Sequence, residues 1–125
     1  MILSYLTFYV NAFLAYRVYR YDIHGKSLLE NNEKYYFEDL GVRNSMIRST
    51  NVNDIEKRIE NAVFLHLLRN GWTVRVGQMY SAEIDFVAEK DDQTMFIQAT
   101  YLIVNEDTEK REFGNLLSIR SNHPK

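Results

Sequence analysis

The sequence predicts a mixed α+β (α/β) fold: a helix and a β-hairpin, followed by a helix, a three-stranded meander and a last helix. Two patterns predict it. Apolar and polar residues alternate in short runs within 15–37 and 72–101, as in strands, whereas the apolar residues of 54–70 recur every three or four positions, as in a helix. The chain has 125 residues, of which 46% are hydrophobic and 26% charged. This composition is typical of a globular protein that can bury a core.

The first part of the chain predicts a helix and then a hairpin. Residues 2–14 are apolar and aromatic on all sides, so we expect a helix that is covered over most of its surface. The run AYRVYRYD (15–22) alternates as a strand does, residues 23–26 predict a turn, and residues 27–37 run back as the second strand. A short helix is expected to continue through Ile47.

The clearest helix of the sequence lies at about 54–70. Asn53, with Glu56 three residues later, resembles a capping box at its start, and Gly71 stands where a left-handed C-terminal cap is expected. His66 falls on the apolar stripe of this helix, so we expect a packed, hydrogen-bonded side chain rather than a catalytic base.

Three short β runs follow the helix, at 72–77, 83–89 and 94–101. The connections between them are short, which predicts an antiparallel meander. Asn105 is the expected N-cap of a final helix, whose apolar stripe lies within 113–119.

The composition excludes several classes of protein. The chain contains no cysteine, so it has neither disulfides nor a thiolate zinc site, and its net charge of -2 gives no general attraction to nucleic acid. The apolar start is interrupted by Asn11 and closed by Arg17 before about 20 apolar residues accumulate, and it lacks the basic start of a signal peptide. We therefore expect a cytoplasmic protein without a membrane span.

Oxygen-bearing side chains are predicted to converge on one face of the meander. Alternation places Asp85 on the same face as Val87, and it places Gln98 and Thr100 together on the next strand. If the preceding helix packs on that face, Glu60 approaches the same point. Carboxylate and amide oxygens suit Mg²⁺, and a bound Mg²⁺ activates water and stabilises charge on a phosphate.

Five stretches of the sequence carry a resemblance to a known family. They are AFLAYRVYRYDIHGK (12–26), NEKYYFEDLGVRN (32–44), IENAVFLHLLRNGWTVRVG (59–77), EIDFVAEK (83–90) and REFGNLLSI (111–119). In this order they resemble the C-terminal domain of unknown function of bacterial and archaeal predicted AAA+-type ATPases. That domain has a PD-(D/E)XK restriction-endonuclease-like fold and follows a P-loop ATPase module and a winged-helix segment.

The resemblance implies a division of the chain and an origin for its parts. Residues 1–48 correspond to a winged-helix remnant, and residues 49–125 correspond to the nuclease-like core without its last strand. The sequence has no Walker-type phosphate loop. We therefore expect no ATPase activity in this chain, and we expect the ATPase module to be a partner outside it.

The resemblance also implies roles for the oxygen-bearing residues. In the nuclease fold a helix glutamate, a strand aspartate and a second acid bind the metal, and a lysine supports the reaction. Glu60 and Asp85 match the helix glutamate and the strand aspartate. Gln98 stands at the position of the second acid and can still offer an amide oxygen to Mg²⁺, as in some Mrr-like restriction enzymes. Thr100 stands at the lysine and supplies no positive charge. Loss of such a charge costs roughly 3 kcal/mol or more of transition-state stabilisation.

The hairpin offers a candidate surface for nucleic acid. In a winged-helix protein, basic residues of a hairpin contact phosphates and tyrosine rings stack on bases. The basic candidates here are Arg17, Arg20, Lys26 and Lys34. The alternative is that this aromatic segment is core, or a surface that other modules cover.

The sequence thus predicts a non-catalytic accessory domain of an ATPase, with a degenerate nuclease site and DNA or RNA contact. One alternative is an active Mg²⁺-dependent nuclease that uses Glu60, Asp85 and Gln98, with the lysine's role taken by another residue. Another is a structural protein–protein interaction domain. Because a missing strand exposes a sheet edge and a missing cover exposes aromatic residues, we also expect a homodimer.

Overall fold

The computed structural model of the protein describes residues 2–46, 52–101 and 105–125, and its fold is mixed α+β as predicted. The helices are α1 (Ile2–Asn11), α2 (Leu40–Met46), α3 (Val52–Arg69) and α4 (Glu106–Ser118). The strands are β1 (Ala15–Asp22), β2 (Ser27–Phe37), β3 (Thr73–Met79), β4 (Ala82–Lys90) and β5 (Gln93–Ile97). They form one sheet in the order β2-β1-β3-β4-β5.

The hairpin and the meander belong to the same sheet. β1 and β2 pair antiparallel, and β3, β4 and β5 form the antiparallel meander, which confirms both sequence predictions. In addition, β1 pairs in parallel with β3 through Arg20 to Asp22 and Val76 to Gln78. The division of the chain at residue 48 stays a prediction. The pairing of β1 with β3 joins residues from before and after residue 48 in one sheet.

Two hydrophobic clusters cover the two faces of the sheet. The cluster with α3 contains Val18, Tyr36, Phe64, Leu65, Leu67, Val76, Phe86 and Ala88. The cluster with α4 contains Met79, Ile84, Val87, Phe96, Leu116 and Ile119. Phe86 and Ala88 face α3 while Val87, between them, faces α4, so the two helices pack on opposite faces.

Local signals placed the ends of two helices correctly. Gly71 follows α3 with a φ of 82°, the left-handed conformation that glycine adopts at a helix C-cap. Asn105 caps α4, since its side-chain oxygen accepts a hydrogen bond from the Thr108 N–H at 2.9 Å. Asn53, the expected cap of α3, lies inside that helix, and its side chain is outside the described part, as is Ile47.

The N-terminal helix differs from the prediction in length and in burial. It ends at Asn11 instead of residue 14, and Phe13 follows with a φ of 59°. The expectation of a covered helix is wrong, because Tyr5 and Phe8 are 61% and 64% exposed. Among the described residues, no helix combines the length and apolarity that crossing a membrane requires.

The strand that carries Asp85 is irregular, which corrects the predicted alternation. Arg75 pairs with Val87 but Gly77 pairs with Ile84, so two steps along β3 oppose three steps along β4. An extra residue of this kind is a β-bulge. As a result Ile84 and Val87 both pack toward α4, and Ile84 does not share a face with Phe86 as the alternation predicted.

Candidate functional site

A cluster of charged side chains lies between α3 and the sheet, where the sequence predicted a metal site. Lys34 of β2 is at its centre. Its Nζ atom lies 3.0 Å from Glu60 Oε1 on α3 and 2.5 Å from Glu83 Oε1 on β4. The three side chains are only partly exposed, at 27%, 18% and 36%. Lys34 thus joins two carboxylates from different elements in a half-buried setting.

A second cation completes the pairing of Glu83. The Arg20 guanidinium donates to Glu83 Oε2 at 2.5 Å and to Gln78 Oε1 at 3.3 Å. Its Nε atom also donates to the Asn32 carbonyl at 2.6 Å. Both oxygens of Glu83 are therefore bound by cations.

Tyr36 contributes a hydroxyl to the same cluster. Its ring stacks on Phe64, with centroids 4.6 Å apart, and its hydroxyl donates a short hydrogen bond to Glu60. Burial, and then the negative charge of Glu60, raise the pKa of the Tyr36 hydroxyl far above its usual value. The hydroxyl stays protonated and acts as a donor to Glu60.

Asp85 is the most buried carboxylate of the cluster, with 9% of its surface exposed. Its Oδ2 atom accepts a hydrogen bond from the Ala99 N–H at 2.8 Å. Burial raises the pKa of Asp85 to about 6, the Ala99 hydrogen bond opposes that rise, and the charge of Glu60 adds to it. The charges of Glu60 and Lys34 both act on the Asp85 carboxylate, so it lies near the charged cluster.

The pKa values of Lys34 and Glu83 shift in the directions that mutual pairing predicts. Burial alone would lower the pKa of Lys34, but Glu60 and Glu83 outweigh burial and the pKa is raised. Burial alone would raise the pKa of Glu83, but hydrogen bonds from Lys34 and Arg20 outweigh it and the pKa is lowered. Both side chains are therefore held in their charged forms.

Glu60 and Asp85 lie close enough for their charges to interact, whereas Gln98 is hydrogen-bonded to the backbone. The Gln98 amide oxygen accepts a hydrogen bond from the Asp85 backbone N–H at 3.2 Å, so it holds the strand instead of facing the carboxylates. The Thr100 hydroxyl is buried and has no hydrogen-bond partner within the described ranges. Lys90, at the end of β4, donates to the Asn70 carbonyl at 2.7 Å.

The four basic residues predicted to contact nucleic acid occupy different places. Arg20 and Lys34 belong to the charged cluster, and their charges are directed at carboxylates. Arg17 lies over the Tyr35 ring at 5.8 Å and 3.9 Å from Glu33. Lys26 lies in the turn between β1 and β2. The structure does not gather these four side chains into one basic surface.

The arrangement of the cluster does not fit a Mg²⁺ site. Across residues 2–46, 52–101 and 105–125, no group of three or more histidine, cysteine, aspartate or glutamate side chains is arranged to hold a metal ion. The ammonium of Lys34 contacts Glu60, one of the predicted metal ligands, and also Glu83 beside it. A protein cation therefore satisfies the carboxylates that a metal would need.

Sequence reasoning missed the parts of Glu83, Tyr36 and Lys34 in this cluster. The sequence predicts no role for Glu83, and it predicts contact with nucleic acid for Lys34. The hairpin register contains the missing signal, because Val18 of the α3-side core pairs with Lys34 and so sets that lysine on the same face. His66 was expected to be packed, which is wrong, since it is exposed beside Asn70 at the end of α3.

Comparison with known proteins gives one relative to report. A Haemophilus influenzae protein described as uncharacterized is 43% identical to this chain over 122 residues. The alignment covers 98% of this chain and 30% of the relative, so the chain spans less than a third of that protein's length. Neither a protein-family model nor a solved structure matches the chain.

Proposed function

We propose that this chain is an accessory domain with a PD-(D/E)XK nuclease-like fold whose catalytic centre has become a structural ion-pair cluster. The observation that carries the proposal is the position of Lys34 Nζ, 3.0 Å from Glu60 and 2.5 Å from Glu83. The fold order supports it, because α3, the β3–β4–β5 meander and α4 follow each other as in that nuclease core. By the resemblance of the sequence, Glu60 and Asp85 correspond to metal ligands of the family.

The chemistry of the cluster supports loss of catalysis. A metal-dependent nuclease needs carboxylates that are free to bind the ion, whereas Glu60 and Glu83 are bound by Lys34, Arg20 and Tyr36. Gln98 is hydrogen-bonded to the backbone of β4.

The proposed context is a longer protein with an ATPase module, in the cytoplasm. The length of the Haemophilus influenzae relative supports a longer context, because a sequence like this one makes up 30% of it. The family resemblance suggests the ATPase, and the absence of cysteine suits a reducing compartment. The exposed aromatic residues Tyr5, Phe8 and Phe13 give such a module, or a second copy of this chain, an apolar surface to contact.

One observation favours a second candidate, an active nuclease. Thr100 cannot supply the family's positive charge, but Lys34 brings a positive charge to the same carboxylates from β2. In this candidate Lys34 would have to leave Glu60 before Glu60, Asp85 and Gln98 could bind Mg²⁺. The lysine's role would then have moved to another strand.

A cleavage assay separates the two candidates. The protein is incubated with single- and double-stranded DNA and RNA in the presence of Mg²⁺ or Mn²⁺, beside Asp85→Ala and Lys34→Ala variants. The accessory-domain proposal predicts no cleavage that depends on either residue. Cleavage by the wild type that both substitutions abolish would refute it and establish the nuclease with a relocated lysine.

A further inference from the structure

The opposite face of the sheet contains a cavity of about 290 Å³ that lies outside the charged cluster. It is bordered by the turn after β1, by β4 and β5, and by the segment that follows α4. The floor is apolar, because Val87, Phe96 and Ile119 are buried side chains of the α4-side core. Its size is close to the lower end of pockets that bind small molecules, roughly 300 Å³.

The rim of this cavity carries cations that the fold leaves without carboxylate partners. Lys26 and Arg120 both line it, and among the described residues no carboxylate lies within salt-bridge distance of either. Glu89 also lines the cavity, but Arg75 binds its carboxylate at 2.6 Å. Asp22, next to the turn, accepts a hydrogen bond from the His24 N–H at 3.1 Å. Among the residues that line the cavity, two cations therefore stand against one carboxylate.

Two histidines and several rings complete the lining. His24 stacks on Tyr80, with ring centroids 4.4 Å apart, and His123 lies 6.3 Å from the Phe96 ring. Tyr21 lines the same space. Imidazole N–H groups donate to anions, and flat aromatic walls favour a flat ligand.

We propose that this cavity binds a small ligand that carries a phosphate group and a flat aromatic body, such as a nucleoside monophosphate. The phosphate contacts Lys26 and Arg120, which have no carboxylate partner among the described residues, and arginine is suited to bidentate contact with phosphate. The flat body lies against Phe96 of the floor and against Tyr21. This inference does not rest on the proposed loss of nuclease activity, since its residues lie on the other face of the sheet.

The three histidines of the chain give a direct test by NMR. His24 and His123 line the cavity, whereas His66 lies at the end of α3 on the other face and is an internal control. The histidine ring signals are followed while adenosine 5′-monophosphate is added. The proposal predicts saturable shifts of His24 and His123 with no shift of His66.

Matched variants and ligands decide which contacts matter. We expect Lys26→Gln and Arg120→Gln each to weaken binding by about threefold to fivefold, because the rim is exposed. Lys110→Gln, which removes an exposed lysine of α4 outside the cavity, should leave binding unchanged. Inorganic phosphate and adenosine alone should both bind more weakly than the monophosphate.

The outcomes distinguish the source of the phosphate and can overturn the proposal. Short DNA strands with a 5′-phosphate or a 5′-hydroxyl show whether the ligand is a strand end or a free nucleotide, and either source supports the proposal. Equal shifts of His66, equal weakening by Lys110→Gln, or binding of adenosine as tight as that of the monophosphate would each overturn it. Binding of inorganic phosphate as tight as that of the monophosphate would overturn the role of the floor.

Discussion

The two faces of the sheet carry their charges in opposite ways. On the α3 face, Lys34 and Arg20 are bound to Glu60 and Glu83 in a half-buried cluster. On the α4 face, Lys26 and Arg120 stand at the rim of a cavity without carboxylate partners in the described part of the chain.

This difference decides what each face can bind. A charged group that already has its partner inside the protein must lose that partner before it binds a ligand, and this costs free energy. A cation that contacts only water loses much less free energy when it moves to contact a phosphate. The α3 face, where the sequence predicts a metal site, is thus less prepared to bind an ion. The α4 face is better prepared to bind an anion.

The largest effect is expected from Asp85, through its pKa of about 6. Because the folded protein holds this proton more tightly than the unfolded chain, whose aspartates have a pKa near 3.8, ionisation of Asp85 favours unfolding. Its contribution to the free energy of unfolding should therefore fall as the pH rises from about 4 to about 6, and stay constant above that. The difference corresponds to about 3 kcal/mol.

The Asp85→Asn variant isolates this contribution. Asparagine still offers an oxygen to the Ala99 N–H but cannot ionise, so the variant should gain up to about 3 kcal/mol over the wild type at pH 7 and almost nothing at about pH 3, below the pKa of the unfolded chain. Urea unfolding at a series of pH values measures both curves. If the free energies of unfolding of the two proteins show the same pH dependence between pH 4 and pH 6, burial does not raise the pKa of Asp85.

A smaller loss is expected from Lys34→Met, which removes the shared cation and leaves Glu60 and Glu83 facing each other. We expect a loss of about 2 kcal/mol, less than for a fully buried pair because these side chains keep some exposure to water. Denaturant unfolding at pH 7 measures it, with Lys110→Met as the matched exposed control. Adding Glu60→Gln should recover part of the loss, and a simple sum of the two losses would contradict coupling within the cluster.

The smallest effect is expected on the α4 face. The double variant Lys26→Gln with Arg120→Gln should change the free energy of unfolding by less than about 0.5 kcal/mol, because both side chains are exposed and neither forms an ion pair with another described residue. The same unfolding measurement checks it. A loss as large as that of Lys34→Met would mean that Lys26 and Arg120 stabilise the fold through contacts within the protein. This would contradict their proposed role as ligand contacts.

Local features of the fold could be predicted from the sequence. The hairpin, the meander, α3 with Gly71 and α4 with Asn105 all depend on residues close together along the chain, such as turns, caps and periodicity. The approach of Glu60 to Asp85 followed from helix and strand order together with the family resemblance.

Non-local features could not be predicted in the same way. The parallel pairing of β1 with β3 joins residues more than fifty positions apart, and no local pattern encodes it. The bulge in β4 changes the face of Ile84 without any glycine or proline there to mark it. Gly77, on the paired strand, does mark a close approach, since a Cβ atom there would lie 2.9 Å from Ile84 Cβ. The role of Lys34 depended on this assembly, because it needs β2, α3 and β4 together.

Binding of Mn²⁺ tests most directly whether Lys34 has replaced the metal. The thermal unfolding midpoint is measured with and without Mn²⁺ for the wild type, Lys34→Met and Asp85→Ala, since a ligand that binds only the folded state raises the midpoint. We predict no shift for the wild type and a rise for Lys34→Met, in which Glu60 and Glu83 are released from the lysine. A rise for the wild type that is lost in Asp85→Ala would contradict the structural role of the cluster and identify a working metal site.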